Sequence, residues 1–97
     1  MIVVHDTFVC KPGNASKMAK MFKEMVKTTP EVKNIMTDMT GQYNRVIMVS
    51  EYEDLVAYQK SSESYKNPTP EMKEAMKKME NYTDMYLTGG REIFQVW

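Results

Sequence analysis

Among the 97 residues, the side chain best suited to moving protons at neutral pH is His5, the single histidine. Its unperturbed pKa lies near 7, as a general base or proton relay requires. It falls within IVVHDTFVC (residues 2–10) on the same strand parity as Val3, Thr7 and Val9. His5 is therefore the candidate catalytic residue, although a lone histidine in a strand more often serves packing or an interface. Asp6, Asp38, Arg45, Asp84 and Tyr86 are further polar groups inside strand-like segments. A charge pointing into an apolar interior is costly unless paired, so a cluster of them would mark a pocket. Arg45 is placed to meet Asp6 or Asp38 across a sheet, and the plainer alternative leaves Asp38 and Arg45 in water at a hairpin end. Tyr52 and Tyr86 join Asp38 and Arg45 as candidate ligand-binding residues, because a phenol combines a large apolar area with a hydrogen-bonding tip.

Other chemistries find less support. The 11 methionines raise the question of a soft copper(I) site. Yet Met18, Met21 and Met25, and again Met72, Met76 and Met79, repeat as core stripes do, which favours a pliable apolar interior. Cys10, the one cysteine, excludes an internal disulfide and a multi-thiolate metal site within one chain. No phosphate-cradling loop, nucleophile elbow or His-Glu-x-x-His zinc motif occurs, and no metal or cofactor is expected. Thirteen basic residues balance thirteen acidic ones, so no net field draws in nucleic acid or an anionic membrane. With no long apolar run and no basic leader, a cytoplasmic protein without membrane association is expected.

The elements that must position these groups follow from periodicity. Residues 2–10 carry apolar groups on both faces, Ile2, Val4 and Phe8 on one and Val3 and Val9 on the other, as a strand covered on both sides would. Lys11-Pro12-Gly13-Asn14 gives a turn, with Asn14 or Ser16 able to cap an amphipathic helix over residues 15–28. Strands over 32–39 and 43–52 flank Thr40-Gly41-Gln42 and form a hairpin. Asp54 caps a second helix in which Leu55, Tyr58, Gln59, Ser62 and Tyr65 share a face, ended at Asn67-Pro68-Thr69-Pro70. Thr69 caps a third helix with Pro70 at its first position. Strand material at 83–88 and 91–97 lies on either side of Gly89-Gly90, which reads as a tight turn or a bulge.

Strand, helix, strand, strand, helix, strand is the order of the split βαβ unit. It predicts one α+β, ferredoxin-like domain over residues 1–97, with four antiparallel strands and the helices on a single face. The apolar second face predicts a homodimer packed sheet to sheet, and residues 91–97 are expected to pack against or pair with the partner subunit.

The opening IVVHDTFVCKPGNASKMAKMFKEM and the stretch VIMVSEYEDLVAYQKS resemble dimeric α/β-barrel proteins, among them antibiotic-biosynthesis-type monooxygenases and NIPSNAP-like proteins. The resemblance implies a homodimer holding a small apolar or aromatic metabolite between sheet and helices. It further implies cofactor-independent monooxygenase-like or isomerase-like chemistry using His5 with tyrosine or Asp support. A haem role does not carry over, because haem-degrading relatives place their ligand on a helix and no helix here contains histidine. The alternative is a non-enzymatic binding or interaction module.

Overall fold

Alternation of apolar groups along Ile2–Cys10 produces the central strand β1, and the helices settle on the face that carries Ile2, Val4, Phe8 and Cys10. The computed structural model describes residues 1–64, 67, 69–78 and 82–97. After β1 come α1 (Ala15–Met25) with a 3₁₀ turn (Val26–Thr28), β2 (Val32–Thr37), β3 (Arg45–Tyr52), α2 (Leu55–Ser64), α3 (Pro70–Lys78), a 3₁₀ turn (Tyr82–Asp84) and β4 (Tyr86–Gln95). The strands form one sheet in the order β2-β3-β1-β4, and every pairing is antiparallel. This is the predicted α+β, ferredoxin-like arrangement.

The core lies between sheet and α1. Met18 and Phe22 on α1 are buried against Cys10 and Val46, and Phe8, Met21, Met25, Ile35, Met48 and Tyr86 pack around them. The α1 stripe is therefore core, as its spacing predicts. Asn14 occupies the N-cap position of α1 but makes no side-chain hydrogen bond there. The other two caps form as expected. The Ala57 amide donates to Asp54 Oδ1 at 2.8 Å, and the Met72 amide to Thr69 Oγ1 at 3.3 Å. Each such cap contributes about 1 kcal/mol.

Several expectations need correction. The C-terminal segment is not separated from the preceding strand: β4 runs straight through Gly89-Gly90, and residues 91–95 pair with β1 of the same chain. The glycine serves close approach rather than a turn, since a Cβ on Gly89 would lie 2.7 Å from the Thr7 carbonyl oxygen. Asp84 sits in a 3₁₀ turn and not in a strand. The β2–β3 connection spans residues 38–44, longer than three, because Tyr43 and Asn44 adopt left-handed backbone (φ 71° and 59°) and leave the ladder. On α2, Leu55 and Gln59 are exposed, while Tyr58 and Ser62 of the expected face line the cavity together with Ser61. On α3, Met76 is 48% exposed, so that stripe borders a cavity and is not a buried core. Tyr65, Pro68 and Met79 lie outside the described residues. No helix among the described residues is long and apolar enough to cross a membrane.

Candidate functional site

Sheet parity decides which side chains share a space. On β1, even-numbered residues face the helices, so Asp6 follows Ile2 and Val4 inward while His5 points to the uncovered face. On β3 the same face carries Met48, Ser50 and Tyr52, and on β4 it carries Arg91, directly opposite Asp6 in the β1–β4 register. These residues line a cavity of about 500 Å³ between the sheet, α1, α2 and α3. Phe8, Phe22, Met25, Met48, Met72 and Met76 form its apolar walls. The methionine thioethers and unbranched chains make those walls adaptable in shape.

One end is polar. Arg91 Nε donates to Asp6 Oδ1 at 2.5 Å, and the Arg91 guanidinium lies 5.7 Å from the centre of the Tyr58 ring, within cation–π range. Tyr58 packs edge-on to Tyr52 with ring centres 5.2 Å apart. The hydrogen bond to the Asp6 carboxylate and its charge push the Arg91 guanidinium above its ordinary value, against the opposing effect of burial. The arginine is thus a permanent cation beside a carboxylate, an arrangement suited to orienting a polar head while the methionine walls hold an apolar body.

The five candidate residues from the sequence do not converge. Tyr52 lines the cavity. Tyr86 packs in the core edge-on to Phe8, with ring centres 5.2 Å apart. His5 is flanked by Val49 and Glu92 on the uncovered face and meets Phe94 edge-on at 5.2 Å. Asp38 and Arg45 form a clasp that closes the β2–β3 loop: the Arg45 amide donates to Asp38 Oδ1 at 3.0 Å and its Nε to Oδ2 at 2.8 Å. Arg45 meets Asp38 rather than Asp6, and the Asp38 side chain is only 2% exposed instead of lying in water. Burial pushes its carboxyl up, but the hydrogen bonds and charge of Arg45, with the Arg45 and Tyr43 amides, hold it below the usual carboxylate range. Burial raises the Cys10 thiol, which donates to Met18 Sδ at 3.4 Å, so Cys10 is core packing.

Asp6 entered the sequence reading only as a polar strand residue, and Ser50 and Arg91 were missed as site residues. The signal was present: each shares strand parity with helix-facing apolar residues, and a charge at such a position demands a partner or a purpose.

Fold and cavity together define an α+β protein with the ferredoxin-like fold. A NIPSNAP domain protein from Burkholderia xenovorans superposes on it with a TM-score of 0.79 at 13% identity, over 100% of this chain and 95% of that one. A NIPSNAP family protein from Agrobacterium tumefaciens gives 0.78 at 11% identity, over 99% and 85%. A proposed antibiotic biosynthesis monooxygenase from Deinococcus radiodurans gives 0.65 at 11%, over 100% and 93%. At such identities the likeness is one of fold. No family model and no curated protein matches the sequence.

Proposed function

We propose that this protein binds a small, mainly apolar or aromatic metabolite in the cavity between sheet and helices. The observation that carries the reading is the cavity itself, about 500 Å³ with methionine and aromatic walls and the Asp6–Arg91 pair in its lining. That is the size and make-up of small-molecule sites generally. His5 stands on the opposite sheet face, so the reading is one of binding, with no proton-transfer role assigned to His5. The single buried thiol of Cys10 suits a reducing, cytoplasmic setting.

The working unit in this reading is a homodimer. The uncovered sheet face presents Val3, Val9, Ile47 and Val49, with Met36 and Phe94 40% and 44% exposed beside them. A second copy packed sheet to sheet would cover that face. Two measurements test the proposal. A neutral apolar dye such as Nile red should bind saturably, once per chain, and lose binding when Met76→Trp fills the cavity. Sedimentation at micromolar concentration should give twice the chain mass, and Val49→Glu should give the monomer. Absence of saturable dye binding, or binding unchanged in Met76→Trp, overturns the cavity reading. A wild-type monomer overturns the dimer.

A further inference from the structure

The charged part of the cavity lining is locally neutral. Asp6 uses one carboxylate oxygen to accept from Arg91 Nε, and its second oxygen has no hydrogen-bond partner among the described residues. Arg91 engages Asp6 through Nε alone, which leaves the terminal amino groups of its five-donor guanidinium open to a ligand or to solvent. Ser50 lies nearby on β3, two positions along from the Met48 that pairs with Asp6. It is only 4% exposed and lines the same cavity. The two charged side chains line the cavity and keep solvent contact, Arg91 at 57% and Asp6 at 20% exposure, so their remaining donors and acceptor are accessible to a ligand.

Their signs restrict which ligand. A free carboxylate offered to Arg91 would sit beside the Asp6 carboxylate, and a free ammonium offered to Asp6 would sit beside the Arg91 guanidinium. Each meets repulsion that cancels its attraction and still bears the cost of leaving water. A neutral head that accepts on one atom and donates on the next satisfies Arg91 and Asp6 together, and its dipole lies along the field between the two charges.

On this basis, and resting on the binding reading above, we propose that the site selects ligands whose polar head is neutral and carries an acceptor and a donor on neighbouring atoms, a primary carboxamide being the simplest case. It rejects the matching carboxylate and amine. Benzamide, benzoate and benzylamine share one apolar body and differ only in that head, so they serve as probes. Titration followed by NMR, read at the Ser50 and Arg91 backbone amides, should rank benzamide about tenfold or more tighter than either ion. Asp6→Asn keeps the shape, frees the arginine charge and should raise benzoate affinity past benzamide. Arg91→Gln should instead favour benzylamine, and because the Arg91 side chain is 57% exposed this variant folds even if Asp6→Asn does not. Benzoate or benzylamine matching benzamide on the wild type, or a ranking unmoved in the variants that fold, overturns this selectivity while Nile red binding still supports the cavity. Failure of all three probes to bind overturns it as well.

Discussion

Replacing Met18 by alanine tests whether the α1 stripe is the structural core and the α3 stripe a cavity wall. The Met18 side chain is 0% exposed, enclosed by Cys10, Phe22 and Val46, with its sulfur accepting from the Cys10 thiol at 3.4 Å. Truncation removes everything beyond Cβ and leaves a void against Val46, itself fully buried in the middle of the sheet and held by pairing on β3. The lost transfer energy and the void together cost about 2–5 kcal/mol. A sheet flanked by paired strands collapses poorly, which puts the expectation in the upper half of that range. At ~4–8 °C per kcal/mol for a domain of this size, the melting temperature should fall by at least about 10 °C. Met18→Leu, nearly volume-conserving, should cost less than about 1.5 kcal/mol. Met76→Ala, on a half-exposed side chain, should cost less than about 1 kcal/mol. Urea melts of the three variants and the wild type, all at one protein concentration so that any assembly equilibrium is held fixed, make the comparison. Equal losses in Met18→Ala and Met76→Ala would refute the assignment of core and cavity wall.

Gly89→Ala places a methyl group 2.7 Å from the Thr7 carbonyl oxygen, a backbone atom that cannot turn aside, and should destabilise by about 1–3 kcal/mol. Gly90→Ala meets nothing within 4 Å and should stay within about 0.5 kcal/mol, so the two melts compared side by side report on the β1–β4 approach alone. The Asp38–Arg45 clasp makes a pH prediction. The folded carboxyl lies below its ordinary value of 3.8, so its contribution is fully present above that value and is lost as pH falls through it toward the folded pKa. Denaturant melts from about pH 6 down to 2 should show this acid-limb loss, and Asp38→Asn should flatten the limb. An unchanged limb would remove the clasp from the account of the β2–β3 loop.

Much of the architecture was legible because local signals agreed with one another. The bounds of β1, the α1 stripe, the Asp54 cap and the Thr69-Pro70 start are each set by residues within a few positions. The misread elements are those where a distant residue decides. Gly89-Gly90 has the composition of a turn, and only the approach of Thr7, far earlier in the chain, makes glycine necessary within a strand. Tyr43 and Asn44 look like strand residues by composition, and their left-handed backbone goes with the Asp38 carboxylate, which gathers the amides of Arg45 and Tyr43. Met76 keeps helical spacing with Met72, but spacing cannot tell a core from the wall of an open cavity.

The site turns on one step of strand parity. His5 and Asp6 are adjacent, and intrinsic pKa singles out His5, yet the helices cover the face that Asp6 shares with Val4 and Phe8. Pairing in the antiparallel register then brings Arg91 directly across from Asp6, 85 residues away, a coincidence that no local pattern announces. Such a pair is a weak source of stability, since the Arg91 side chain is 57% exposed and solvent screens its attraction to Asp6, so two apolar side chains in the same places would hold the sheet about as well. Two apolar residues would also extend the methionine and aromatic walls without interruption. The arrangement is therefore best understood by what it presents to the cavity: a donor and an acceptor, side by side on the paired strands β1 and β4, beside methionine walls that can adapt to the rest of a ligand.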